Sequence, residues 1–169
     1  LASQLTFEGR NIKPEEAFTF GLFRDCGIPI LLSMYSDYLD ILKKANAEET
    51  QSFTSVEVSE LDLNHSMIGA MLVEEWALPI EFHTAIEFHH EADAIRGNAV
   101  VALPDASKRL IAVAQLSEFL FQSLTGRNRT CEWKKLGELC LAELGIAQEE
   151  INDLLGRAEK EGVHTYPII

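Results

Sequence analysis

Apolar residues recur at helical spacing along nearly the whole chain, in stretches closed by Gly or Pro, and that pattern confines it to an all-α fold. One stretch, "SFTSVEVSELD", alternates like a strand through Val56 and Val58. Nothing nearby could pair with a lone strand, so it too reads as a helix. "LASQLTFEG" reads as the last turns of a helix stopped by Gly9. "KPEEAFTFGLFRDCG" starts again, with Pro14 at the first helical position, Glu15 and Glu16 at the positive end of the dipole, and Gly27 as the end. Its Ala17, Phe18, Phe20, Leu22 and Phe23 cover most of the girth, which predicts a central helix. Pro29 marks a second stop. "SDYLDILKKANAE" is amphipathic, with Tyr38, Leu39, Ile41, Leu42 and Ala45 inward and Ser36 as a candidate cap.

"LNHSMIGAMLVEEWALP" carries Met67, Ile68, Met71, Leu72 and Trp76 at helical spacing. Gly69 inside it costs about 1 kcal/mol relative to Ala, which predicts close approach by a neighbour. Pro79 opens "PIEFHTAIEFHHE", and a loose segment, "EADAIRGNAVVALPD", leads into a long helix, "ASKRLIAVAQLSEFLFQSLTG", ending at Gly126. "TCEWKKLGELCLAELG" and "AQEEINDLLGRAEKEG" follow, then an apolar tail, "VHTYPII". The polar joint "GRNRT" divides residues 1–126 from a C-terminal helical hairpin, 127–169, packed on them. Leu136, Leu139, Leu144, Ile151, Leu154 and Leu155 are expected to face the main bundle. The expectation is a bundle of about seven or eight helices.

The formal net charge is −13, from 27 acids against 14 bases, and no Lys/Arg cluster is longer than a pair. A polyanion needs a basic face, so nucleic acid is not expected as a partner, nor is an anionic membrane surface. The longest clean apolar runs, "IPILL" and "AVVAL", are too short to span a bilayer. Cys26, Cys131 and Cys140 form no C-x-x-C pair and are odd in number, which fits unpaired thiols in the cytoplasm. "LASQLTFEGR" has neither a charged start with an apolar centre nor an initiator Met, so residue 1 is not expected to be the natural start.

In "GLFRDCG", Arg24 and Asp25 sit side by side in a stretch that otherwise reads as buried, where ionised groups need a partner or a task. His65, His83, His89 and His90 fall within 26 residues. Clustered imidazoles suggest a metal, but His83 and His90 are about 10 Å apart along a helix and cannot share one ion. A site would need several helices, for example Asp25, His65 and one of His89 or His90. The competing reading puts His89 and His90 at a helix C-terminus as cations facing the dipole, with His83 half exposed. No nucleophile elbow and no Gly-rich phosphate loop is present.

The order "EEAFTFGLFRDCGIPILL … YLDIL … LDLNHSMIGAMLVEEWALPIEFHTAIEFHHE … LIAVAQLSEFL" resembles the HDOD domain, the HD-related output domain of bacterial signalling proteins, within the HD phosphohydrolase superfamily. The resemblance runs from about residue 1 to 125, and the N-terminal half of a full HDOD domain has no counterpart here. In the catalytic relatives an HD dipeptide, an upstream His and a downstream Asp hold a metal pair that activates water against a phosphoryl group. The resemblance places the dipeptide on Arg24 and Asp25 and the downstream Asp on Gln115, so two ligands are replaced. His65, His89 and His90 match positions that bind additional metal in cyclic-dinucleotide phosphodiesterase relatives, whose Gly-Tyr-Pro signature is replaced by "EADAIRG".

These substitutions imply a pocket of Arg24, Asp25, His65, His89, His90 and Gln115 with a degenerate metal site and no cofactor. A guanidinium cannot coordinate a metal and repels a dication. Arg24 is expected to answer Asp25 or another acid across the pocket, without needing to pair with its own neighbour. The leading expectation is a non-catalytic regulatory module acting through protein partners, a homodimer among them. One alternative is a metal-dependent phosphohydrolase or phosphodiesterase using Asp25, His65, His89 and His90 with a divalent metal. Another is a small-anion sensor built on Arg24.

Overall fold

The computed structural model describes residues 12–99, 102–127 and 129–160. These residues form α1 (Pro14–Phe23), α2 (Gly27–Met34), α3 (Tyr38–Ala47), α4 (Phe53–Leu61), α5 (His65–Glu75), α6 (Ile80–Phe88), α7 (Ala92–Arg96), α8 (Asp105–Thr125), α9 (Glu132–Leu144), a 3₁₀ turn (Gln148–Glu150) and α10 (Ile151–Lys160). No strand occurs among the described residues, and the architecture is an all-α bundle. The segments "LASQLTFEG" and "VHTYPII" lie outside the described residues.

The central element is α8. Its residues 110–117 are buried without interruption, polar Gln115 and Ser117 included, because α1, α6, α9 and α10 all pack around it. Ile111, Leu116 and Leu120 are fully buried, each contributing about 1.5–3 kcal/mol. Leu136, Leu144, Ile151 and Leu154 join this same core, with Leu139 and Leu155 packed against it. A smaller core of Leu31, Tyr38 and Ile41 lies between α2, α3 and the α4–α5 junction.

Helices outnumber the expectation for two local reasons. Gly27 opens α2 rather than closing α1, and Pro29 sits in the first turn of α2, where it costs no helical hydrogen bond. The loose segment holds the short α7, stopped by Gly97 at φ 79°. Ser36 does not cap α3, which starts after Asp37 with no side-chain cap. "SFTSVEVSELD" is helical, and the Ser52 side chain accepts from the Ser55 amide as its N-cap.

Two glycines set the geometry at the next level. A Cβ on Gly27 would lie 2.0 Å from the carbonyl oxygen of His65, so only glycine lets α2 begin against the start of α5. A Cβ on Gly69 would meet Ile86 at 3.0 Å and the Cys26 sulfur at 3.3 Å, the close approach that its interior position implied.

Not every apolar stripe is inward. Phe18 and Leu22 of α1 are exposed, which makes α1 a flank rather than the centre. On α5 it is His65, Ser66, Gly69, Ala70 and Val73 that are buried, while Met67 and Met71 face out and Trp76 just beyond the helix is half exposed. The stretch Pro14–Met34 is apolar over a length that would cross a bilayer. It is nonetheless two helices, with the charged pair Arg24 and Asp25 at their junction.

Candidate functional site

The α1–α2 turn, the first residue of α5 and the end of α6 converge on one point. Asp25 comes from the turn, His65 opens α5 behind its N-cap Asn64, and His89 caps the C-terminus of α6 with His90 next. One ligand atom from each of these four lies within 4.8 Å of the others. Nε2 of His89 is 3.4 Å from Oδ1 of Asp25 and 3.4 Å from Nε2 of His65, which is itself 3.8 Å from the same oxygen. His65 and His89 are fully buried and His90 nearly so, while the Asp25 side chain is 42% exposed. A cavity of about 240 Å³ opens over Asp25, His65 and His90, walled by Ile28, Leu42 and Phe53.

Each imidazole has its Nδ1 engaged from behind. His65 Nδ1 donates to Glu57 at 2.7 Å, His89 Nδ1 to the carbonyl of Ile86 at 2.7 Å, and His90 Nδ1 to Glu132 at 2.5 Å. A neutral ring with its proton on Nδ1 has a bare lone pair on Nε2. Acceptors from His65, His89 and Asp25 therefore face one another, and His90 has its Nε2 free for the same purpose. The Ser66 hydroxyl lies 3.3 Å from His65 Nε2, and the Arg24 guanidinium donates to the other oxygen of Asp25 at 2.9 Å. Such a set repels itself unless a proton or a metal ion lies within it. Three imidazoles and a carboxylate are a donor set suited to a divalent transition metal.

Arg24 closes the other side of Asp25. Its Nε donates to Asp25 Oδ2 at 2.9 Å and its Nη2 to Glu118 Oε2 at 2.5 Å, with its side chain only 13% exposed. Burial opposes the Arg24 charge, but Asp25 and Glu118 outweigh it and hold the guanidinium above its ordinary value. Burial likewise opposes ionisation of Asp25, and the Arg24 guanidinium beside it overrides that, so its carboxyl lies well below the usual range. Arg24 thus does pair with its neighbour. Residues 24–26 are a turn after α1 rather than a further turn of it, so the helical separation of adjacent side chains does not apply.

Gln115 is buried at 2% exposure, its Nε2 has no hydrogen-bond partner among the described residues, and it lines neither cavity beside Arg24. The α8 side chain that meets Arg24 is Glu118, one turn further on. His90 is not a cation at a helix end. Burial, reinforced by His89, lowers it to about 3 against the pull of Glu132. His83 stands apart, partly exposed and 3.8 Å from both Glu74 and Glu87.

Sequence reading missed three carboxylates, Glu57, Glu118 and Glu132. Two of them carried a signal. Glu57 shares a helical face with Phe53 and Val56, and Glu132 shares one with Leu136 and Cys140, all buried. An acid on an apolar stripe needs a buried partner, and histidines were the partners to hand.

A model of the HDOD domain matches residues 1–92, just over half of the chain's 169 residues. The chain belongs to the HDOD family. No curated protein and no solved structure matches it. The HDOD match makes it an HD-related module associated with signal transduction. It takes in Arg24, Asp25, Glu57, His65, His89 and His90, and ends before Gln115, Glu118 and Glu132.

Proposed function

We propose that this HDOD module works in signalling through contacts with other proteins rather than by phosphoryl transfer, and that its pocket holds one divalent cation while Arg24 stands where a second would sit. The observation that carries this reading is the guanidinium fixed between Asp25 and Glu118. Two-metal hydrolysis clamps both the attacking and the leaving oxygen. A fixed cation that cannot coordinate water supplies charge without a nucleophile. The sequence leads us to expect no metal here; the proposal of one ion instead is supported by the facing acceptors of Asp25, His65 and His89, with His90 beside them.

A bound ion would be held by Asp25, His65, His89 and His90, and would supply a positive centre to a water or an anionic ligand. The chain's own residues set the rest. Glu57 and Glu132 orient two of the rings, Arg24 takes up one oxygen of Asp25, and Phe53 stacks on His90 with ring centroids 4.7 Å apart. Because Nε and Nη2 of Arg24 are already taken by carboxylates, a small-anion sensor built on that residue is the weaker reading.

Protein partners, a second copy among them, are favoured by the outward apolar side chains of α1 and α5, notably Phe18, Leu22 and Met71. Three free thiols fit a cytoplasmic setting, and the net charge of −13 disfavours nucleic acid and anionic membranes. A single-metal hydrolase is the second reading, favoured by the same cluster. Incubation of the purified chain with Mn²⁺ and a generic phosphodiester separates the two. The expected result is no release of product above a His65→Ala control. Sustained, His65-dependent turnover would overturn the non-catalytic reading.

A further inference from the structure

We infer that Glu132 is a positioning residue for the cation site, a role that rests on the one-ion reading of the pocket, and that α9 is therefore a working part of a site whose candidate ligands all lie in the family match. Glu132 is the first residue of α9 and follows the last matched residue by forty positions. An acid at that place in a helix is ordinarily solvated and gains from the dipole alone. Here it is 2% exposed. One oxygen takes the Nδ1 proton of His90 at 2.5 Å and the other pairs with Lys135 one turn on.

Its surroundings tie α9 to the pocket from both sides. The Lys135 ammonium, an ion-pair partner of Glu132, donates to the carbonyl of Gln51 at 3.0 Å, and the Cys131 amide donates to the carbonyl of Asn46 at 3.0 Å. Lys134 pairs with Glu49. The start of α9 is thus fastened along the loop between α3 and α4, and α4 carries Glu57, which backs His65 as Glu132 backs His90. Two imidazoles are held by two buried carboxylates, one on α4 and one on α9.

A carboxylate behind a ligating imidazole fixes the tautomer, sets the ring's orientation and raises its basicity. Glu132 does the first two by geometry: it claims Nδ1 and leaves Nε2 as the donor atom, on a ring already stacked against Phe53. Loading the site would tighten the His90–Glu132–Lys135 chain and with it the first turn of α9. That gives the pocket a route to the surface through a helix that the family pattern does not include.

The test is Co²⁺ titration of the full chain, wild type against Glu132→Gln and Glu132→Asp, by calorimetry and visible absorption. Glu132→Gln is expected to bind about 10–100-fold more weakly with a shifted ligand-field band, and Glu132→Asp to recover part of both. Melting in EDTA controls for a merely structural loss. If Glu132→Gln does not fold, amide exchange of the wild type decides: residues 132–136 are expected to slow on adding Co²⁺ while α10 does not. Wild-type affinity and spectrum in Glu132→Gln, or unchanged exchange at 132–136, overturn the inference alone. A wild type that binds no Co²⁺ overturns the one-ion reading and this inference with it.

Discussion

Arg24 and Asp25, adjacent in sequence, are bound side chain to side chain, Nε to Oδ2 at 2.9 Å, while the other oxygen of Asp25 lies 3.4 Å from Nε2 of His89. One carboxylate therefore serves a permanent cation on one side and a nest of imidazoles on the other. Arg24→Ala leaves Glu118 and Asp25 without their cation. Breaking a fully buried pair costs about 3–5 kcal/mol, and the partial exposure of Asp25 brings the expectation to about 2–3 kcal/mol. Urea unfolding of the two proteins measures it.

Gly27→Ala tests the approach of α2 to α5. The new methyl would fall 2.0 Å from a backbone oxygen of His65, and no side-chain rotation relieves that. A loss of at least about 2 kcal/mol is expected, together with weakened metal binding as Asp25 and His65 move apart. Gly69→Ala meets only side-chain atoms at 3.0 and 3.3 Å and should cost less. Paired thermal melts and metal titrations of the two variants make the comparison.

Glu57 is fully buried and accepts from both the Tyr38 hydroxyl and His65. Glu57→Ala strands three buried donors, the Tyr38 hydroxyl, His65 Nδ1 and, at a longer 3.4 Å, the His65 amide, for an expected loss of about 2–4 kcal/mol, whereas Tyr38→Phe removes one bond and should cost about 1 kcal/mol. Denaturant midpoints of both variants check the ratio. Equal losses would mean that the His65 contact adds nothing.

Acid should weaken the metal-free fold. Burial and His89 lower His90 to about 3 from 6.5. Glu132 titrates at about 2 against 4.5, where the pull of His90 and Lys135 overcomes burial. In both cases the unfolded chain takes up protons first, so stability rises with pH across these windows. The His90 contribution is present above pH 6.5 and is lost as pH falls towards 3, and that of Glu132 is present above 4.5 and is lost towards 2. Urea midpoints in EDTA at pH 7, 5.5 and 4 should fall in that order.

Periodicity made the helices legible, because burial of one face is what spaces apolar residues in a chain. It did not make legible which stripe was covered. Met67 and Met71 carry the spacing of a core face, yet the small residues Ser66, Gly69 and Ala70 are the ones that let α2 and α6 come close to α5. Gly27 read as a stop because glycine ends helices. Its function here is the absence of a side chain against His65, a long-range fact that local spacing does not encode. The four-residue cluster was legible through the family resemblance. Glu57 and Glu132 stood on apolar faces as visible exceptions, but pairing them with particular histidines needed the fold. Gln115 drew attention by matching a lost ligand, while Glu118, which meets Arg24, matched nothing.

Elemental analysis of the chain after equilibration with Mn²⁺ and removal of free ion tests the central claim most directly. One ion per chain, lost in His65→Ala and joined by a second in Arg24→His, is the predicted result. Two ions in the wild type, or none, would contradict it.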